Sequence, residues 1–287
     1  MNTILITGAT GFLGEYVVRD LLGSGAEIRA FVRPTSNTMW LRKNGVQLVS
    51  GDLNQQTTIE TALQGVDLLI NLASLGFGHA QNIVAASVKS GVTRTVFVSS
   101  TSIFSKLQTS SKSKRVQAEL IIAESGLDYT IIRPTMIYGS PRDRNIWRLI
   151  NYINKWPAIP IIGSGRVLQQ PVFVSDVARA IVSAMQCDCS VRRSYDIAGA
   201  EPISFLEMIN IISARLGRNV KKFHVPLIMA QYAALLFGSI GLRITSEQVL
   251  RFEEAKNFDI GAAVKDLGYS PLDFEHGLAL ELQWLGK

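Results

Sequence analysis

The segment Thr7-Gly8-Ala9-Thr10-Gly11-Phe12-Leu13-Gly14 constrains this chain most. It follows the apolar run Ile4–Thr7 and opens the helix-like segment Phe12–Leu22. Glycine has three separate uses at this spacing. One makes the tight turn, one lets the backbone approach a pyrophosphate, and one lets helix and strand pack closely. The helix N-terminus adds N–H groups and a positive dipole end facing the phosphate. The spacing alone also fits a plain tight turn. The strand before it and the helix after it point to dinucleotide binding.

The rest of the first half repeats the theme. Apolar, β-rich runs at Ile28–Val32, Gln47–Val49, Leu68–Leu72, Thr95–Val98 and Tyr129–Ile132 alternate with helix-length segments Ile59–Leu63, Ala80–Ser90 and Val116–Glu124. Such alternation predicts right-handed βαβ units and a parallel sheet covered on both faces, with ligands at the carboxyl ends of the strands. Beyond Pro134 the pattern loosens. Helical stretches Ile146–Lys155, Asp176–Gln186 and Phe205–Leu216 are separated by Gly/Pro-rich joints. The expected division is a dinucleotide-binding domain over 1–135 and a smaller, mostly helical cap over 136–287, with some segments returning to the main sheet.

Composition narrows the class. Of 287 residues, 47% are hydrophobic and 18% charged, which excludes disorder. Cys187 and Cys189 lack the further ligands that zinc needs, so they are expected to be reduced thiols, with no metal site. Met1-Asn2-Thr3 leads straight into a strand, so no signal peptide and a cytoplasmic location are expected. The net charge of +6 is scattered, without the basic stripe and interleaved aromatics of a nucleic-acid binder. A phosphorylated small molecule or an anionic membrane surface fits better. Val225–Leu242 carries no charge; it reads as a buried cap helix or hairpin, or as a peripheral membrane contact.

The second strand ends at Arg33-Pro34, with no acid in the place that usually holds a ribose 2′-hydroxyl. A guanidinium suits a 2′-phosphate, with Thr35 and Ser36 as further donors. NADP is therefore favoured over NAD, against the alternative of a solvated surface arginine.

These motifs together resemble the extended or atypical short-chain dehydrogenase/reductase family, in its nucleotide-sugar epimerase/dehydratase branch. The resemblance covers nearly the whole chain. It rests on Gly8-x-x-Gly11-x-x-Gly14, Gly51-Asp52-Leu53, Asn71-Leu72-Ala73-Ser74, Val98-Ser99-Ser100-Thr101, Arg133-Pro134-Thr135 and Ile137-Tyr138-Gly139. Pro171–Ala178 and Asp266–Pro271 extend it through the cap. It implies a doubly wound α/β Rossmann sheet with a C-terminal substrate cap. By resemblance Asp52 and Leu53 touch the adenine, Ala73 and Ser74 line the ribose, and Pro134 meets the carboxamide; for Asp52 a helix cap is the compatible alternative.

The departures bear on chemistry. The family's Tyr-x-x-x-Lys pair uses a phenol as proton donor and a lysine that lowers its pKa, with a Ser or Thr near Ser99–Thr101. Aligned on Ala118-Glu119, the tyrosine slot holds Ser111 and the lysine slot Arg115; aligned on Lys112, the tyrosine slot holds Gln108. Neither register has a tyrosine. A rebuilt site would use Ser99, Ser100, Ser111 and Lys112, since a desolvated lysine can act near neutral pH. The alternative for Lys112, Lys114 and Arg115 is a solvated basic helix start. The loop Leu75–His79 is short, as in reductase-like relatives, and His79 can supply a proton or simply flank a helix. Arg142 and Arg144 can grip a substrate diphosphate, or pair with nearby acids on the surface.

Three functions follow: an NAD(P)-dependent epimerase or reductase of a sugar nucleotide or polyprenyl-linked sugar, a reductase of a small carbonyl or lipid-like compound, and a non-catalytic NADP-binding redox sensor or scaffold. A homodimer is compatible with all three.

Overall fold

The computed structural model describes residues 2–229, 250 and 254–286. The first half runs β1 (Thr3–Thr7), α1 (Phe12–Leu21), β2 (Glu27–Val32), α2 (Met39–Lys43), β3 (Gln47–Ser50), α3 (Gln56–Ala62), β4 (Leu68–Asn71), α4 (Ala80–Lys89), β5 (Arg94–Val98), α5 (Ser110–Ala123) and β6 (Tyr129–Pro134). There follow β7 (Ile137–Tyr138), α6 (Ile146–Lys155), β8 (Ala158–Ile162), β9 (Leu168–Gln169), β10 (Val172–Phe173), α7 (Val174–Gln186), β11 (Arg193–Ile197), β12 (Ile203–Ser204), α8 (Phe205–Arg215) and β13 (Lys221–Val225). Two helices end the chain, α9 (Gly261–Leu267) and α10 (Phe274–Leu282).

The main sheet has seven parallel strands in the order β11-β6-β5-β4-β1-β2-β3. Its order reverses between β1 and β4, which opens a crevice beyond their carboxyl ends. The strands are apolar throughout because both faces are covered. On one face Ile4, Ile6 and Val96 pack with Val17, Val18 and Leu21 of α1 and Val177, Ile181 and Ala184 of α7. On the other, Leu5, Leu69, Phe97 and Ile131 meet Ile59 of α3, Ile83 of α4 and Ile122 of α5. A third core, built on Ile150, Ile153, Ile161, Ile209, Ile212 and Leu278, belongs to the cap.

Segments of the second half return to the first body. β11 pairs with β6 along its length, from Arg193↔Thr130 to Ile197↔Pro134, and α7 packs on α1. Without β11, β6 would be an open, sticky edge. Each buried Ile, Leu or Val of α7 contributes about 1.5–3 kcal/mol by leaving water, so α7 is held to the sheet as firmly as α1 is.

Two local expectations need revision. α5 starts at Ser110, well before Val116. Its opening turns, Ser110 to Arg115, have no apolar periodicity to betray a helix, and the start is fixed instead by Thr109, whose Oγ1 accepts from the Lys112 N–H at 3.1 Å. Cys187 and Cys189 are joined in a disulfide, not reduced, because the short turn Asp188–Ser190 brings their Cα atoms to 5.2 Å. The expectation for Val225–Leu242 lies outside the described residues from 230 onward. Among the described residues no helix is long and apolar enough to cross a membrane.

Candidate functional site

The glycine loop shows what each of its three glycines is for. Gly8 has φ +71°, a left-handed backbone, and a Cβ there would lie 2.9 Å from the backbone of Leu72 and Ala73 beyond β4. A Cβ on Gly14 would come within 2.4 Å of the Gly8 carbonyl and 2.6 Å of the Ala9 carbonyl. Gly11 is exposed, has an ordinary φ, and would meet only the Gly8 carbonyl, at 3.0 Å. It is the N-cap of α1, with no side chain capping the helix. The first and third glycines are thus demanded by the protein's own packing. The middle one leaves the helix N-terminus bare toward solvent, as a phosphate requires.

A polar knot ties the loop to the crevice. Thr7 Oγ1 donates to Asn71 Oδ1 at 2.6 Å, Asn71 Nδ2 donates to the Ala73 carbonyl at 3.0 Å, and the Ala73 N–H donates to Thr7 Oγ1 at 3.4 Å. Both Thr7 and Asn71 are fully buried, so losing either partner would strand the other. Ser74 Oγ accepts from the Gly76 N–H at 3.3 Å, which shapes the short turn Leu75–Phe77.

At the next strand ends, Arg33 is exposed just after β2, where its carbonyl accepts from the Ser36 N–H at 2.9 Å. Asp52 Oδ1 accepts from the Asn54 N–H and Nδ2 at 2.9 and 3.0 Å, so it shapes its own turn and does not cap α3. The Leu53 carbonyl accepts from Asn82 Nδ2 at 3.0 Å, and the Pro134 carbonyl accepts from Thr101 Oγ1 at 3.4 Å. These positions, together with Thr10, Phe12 and Leu13 of the loop, ring the carboxyl end of the sheet. An elongated dinucleotide fits a bare helix N-terminus, a glycine turn pressed on β4 and a row of strand ends.

The opposite wall is built differently. Along α5, Ser111 and Arg115 face the Leu75–Phe77 turn. A Cβ on Gly76 would meet Ser111 Oγ at 2.6 Å and the Arg115 guanidinium at 3.1 Å. Arg115 donates to Ser111 Oγ at 2.5 Å and to Ser74 Oγ at 3.4 Å. Lys112 lies elsewhere, its Nζ donating to the Ser105 carbonyl at 2.5 Å. Of the two registers left open by the sequence, the one with Ser111 and Arg115 therefore faces Ser74, the residue expected to line the ribose. Ser100 Oγ accepts from the Ser102 N–H at 3.2 Å. The hydroxyls of Ser99 and Ser102 are buried with no partner among the described residues.

Sequence reasoning overlooked what fixes α5. Arg133 of β6 forks onto Glu119 with contacts of 3.2, 3.0 and 2.6 Å, and its guanidinium lies 5.4 Å from the centre of the Phe104 ring. Phe104 in turn packs on Phe258. Asp196 of β11 sits 3.8 Å from Arg133, and burial pushes its carboxyl up, which the arginine only partly offsets. The hint was the pairing of Arg133 with Glu119 across two motifs each read separately.

Three expected substrate contacts are placed as follows. Arg142 donates to the Thr10 carbonyl at 2.7 Å and pairs with Glu15 at 2.8 Å, so it braces the glycine loop. Arg144 is exposed on the approach to α6. His79 precedes α4 without capping it, and its ring tilts against Phe77. Under the Arg142 loop, Asp143 caps α6 through the Asn145 and Trp147 N–H groups at 2.6 and 3.0 Å. Beside it Glu281 of α10 is fully buried, and neither carboxyl oxygen has a hydrogen-bond partner of good geometry among the described residues. Burial first, then the Asp143 carboxyl, push Glu281 up to about 10.

Comparison with known proteins agrees with this architecture. Residues 8–152 match a family model described as NAD(P)H-binding. The chain is 28% identical to the NADH dehydrogenase [ubiquinone] 1 alpha subcomplex subunit 9 of Mus musculus, over 81% of this chain and 66% of that protein. It is 24% identical to the 2-alkyl-3-oxoalkanoate reductase of Shewanella oneidensis, over 95% of this chain and 84% of that enzyme. Its fold superposes on UDP-glucuronic acid 4-epimerase from Bacillus cereus in complex with NAD, at TM-score 0.80 and 18% identity over 99% and 98% of the two chains. With its glycine loop, parallel sheet and family match in accord, the chain belongs to the NAD(P)H-binding family, as a member of the extended or atypical short-chain dehydrogenase/reductase type.

Proposed function

We propose that the chain binds NADP(H) in the crevice above β1 and β4 and keeps it as a resident ligand, serving as a dinucleotide-dependent sensor or scaffold. Gly8, Gly11 and Gly14 would admit the pyrophosphate, Arg33 the 2′-phosphate, Asp52 and Leu53 the adenine, and Ala73, Ser74 and Pro134 the nicotinamide ribose and carboxamide. When bound, a nicotinamide supplies a hydride donor or acceptor. A protein that uses it for carbonyl chemistry must also deliver a proton.

The observation that carries this reading is the Ser111–Arg115 pair. An aliphatic hydroxyl is a far poorer acid than a phenol, and it is held here by a guanidinium that stays protonated. Arg115 instead ties α5 to Ser74. The similarity to a protein named as a subunit of NADH dehydrogenase [ubiquinone] supports a role inside an assembly.

A second reading is a reductase of a small carbonyl compound. Its support is the similarity to the oxoalkanoate reductase over 95% of this chain, together with the unpartnered Ser99 hydroxyl at the end of β5. An epimerase of sugar nucleotides draws support only from the shared fold.

The test is to purify the protein without added nucleotide, denature it and identify what is released. Near-stoichiometric NADP(H), with no NADPH consumption on a panel of aldehydes and ketones, is the expected result. An empty protein that oxidises NADPH with a carbonyl substrate would replace this reading with the reductase one. Released NAD would remove the role given to Arg33.

A further inference from the structure

We infer that one face of the cap, formed by the end of α6 and the β8–β13 ribbon, docks on an anionic lipid surface. This inference is independent of the nucleotide reading. Large apolar side chains stand outward there. Trp156, Phe223, Ile228 and Met229 are each at least half exposed. The β8–β13 pairing sets Phe223 and Lys221 close to the chain that leaves Trp156, and Ile228 and Met229 follow shortly after β13. The Lys221 N–H donates to the Pro157 carbonyl at 2.9 Å, next to Trp156, and Phe223 lies opposite the exposed Pro160.

Four cations, Lys155, Arg218, Lys221 and Lys222, flank these side chains. Among the described residues, no ion pair joins any of them to a carboxylate. Their contacts are neutral: Lys155 Nζ lies 5.4 Å from the centre of the Trp156 ring, Arg218 donates to the Asn154 carbonyl, and Lys222 to Asn210 Oδ1. Elsewhere on the molecule, arginines such as Arg19, Arg193 and Arg215 have carboxylate partners. This face therefore carries local positive charge that no carboxylate among the described residues neutralises.

Cations interleaved with an indole and aliphatic side chains match a bilayer interface better than an acidic protein groove. The rings and aliphatics enter the headgroup boundary while the flanking ammonium and guanidinium groups reach lipid phosphates. The sequence that continues beyond Met229 carries no charge as far as Leu242, so nothing in its composition opposes a lipid surface.

The test is co-sedimentation of the full chain with phosphatidylcholine vesicles, with and without phosphatidylglycerol. Binding is expected only with phosphatidylglycerol, weakening as salt rises. Neutralising one cation should weaken it about fivefold, and Lys221→Glu/Lys222→Glu by about 25-fold or more. Trp156→Ala should weaken binding at high salt as well as low. An unchanged far-UV circular dichroism spectrum and melting temperature report that each variant is folded. Equal binding to both vesicle types, no binding to either, or full binding by the double variant would overturn the inference. So would concentration-dependent self-association without vesicle binding, lost in the same variants, which would assign the face to a second copy of the chain.

Discussion

The two walls of the crevice have been held to different standards. On the glycine-loop wall nearly every feature is fixed by backbone: Gly8 and Gly14 leave no room for a methyl group, and Thr7, Asn71 and Ala73 satisfy one another in a buried knot. On the α5 wall the framework is equally firm, with Arg133 forked onto Glu119, but a serine and an arginine stand where the family resemblance calls for a tyrosine and a lysine. The capacity to hold a dinucleotide is written into the fold. The capacity to act with it depends on a few side chains that can change without cost to the fold.

The largest effect expected on the first wall is structural. Gly14→Ala drives a Cβ into two carbonyl oxygens that cannot rotate away, and should cost about 3 kcal/mol in urea unfolding or prevent folding. An unchanged midpoint would break the claim that packing demands this glycine. Gly11→Asp should separate binding from stability. Aspartate is a good N-cap, so stability should hold or rise, while its charge at the phosphate position weakens NADPH about 100-fold. Retained affinity would move the pyrophosphate away from this helix. Next, Arg33→Ala should weaken NADPH about tenfold and leave NADH unchanged; equal losses would leave the choice of cofactor to other residues.

A smaller effect concerns the loop that braces the first wall. Glu281 is kept neutral in the folded chain and ionises in the unfolded one. The fold therefore loses stability as pH rises from the ordinary glutamate value of about 4.3 toward about 10. Glu281→Gln should be more stable than the parent by at least about 1 kcal/mol at pH 8 and no more stable at pH 4. A variant less stable at pH 8 would mean that the ionised carboxylate is satisfied after all. The least effect belongs to the second wall. Lys112→Met removes one bond to the Ser105 carbonyl, so it should cost about 0.5 kcal/mol and change NADPH affinity less than about twofold. Loss of a measured carbonyl turnover in this variant, with binding intact, would restore Lys112 to a chemical role.

The elements with strong periodicity were legible in the sequence. β4, α1 and α6 lie within a residue or so of where apolar spacing puts them, because burial on one or both faces leaves a repeat in the sequence. α5 was not legible at its start, since a side-chain cap and a tertiary fork hold those turns, and neither leaves a hydrophobic pattern. The disulfide was missed because ligand counting argues against metal and says nothing of the distance between two thiols in a tight turn. Arg142 illustrates the general difficulty: the sequence gives its charge, and only the approach of its loop to α1 directs that charge to Glu15 and Thr10.

By itself, then, the sequence determined a parallel α/β sheet, a glycine turn suited to a dinucleotide, a guanidinium where an acid is usual, and the absence of a tyrosine from both helix registers. These are local properties, carried by residue type and spacing. The tertiary structure decided which register faces Ser74, which arginine braces the loop, where β11 joins the sheet and where Lys155 and Lys221 come beside exposed rings. Those outcomes depend on contacts between residues far apart in the chain, whose geometry no local pattern encodes.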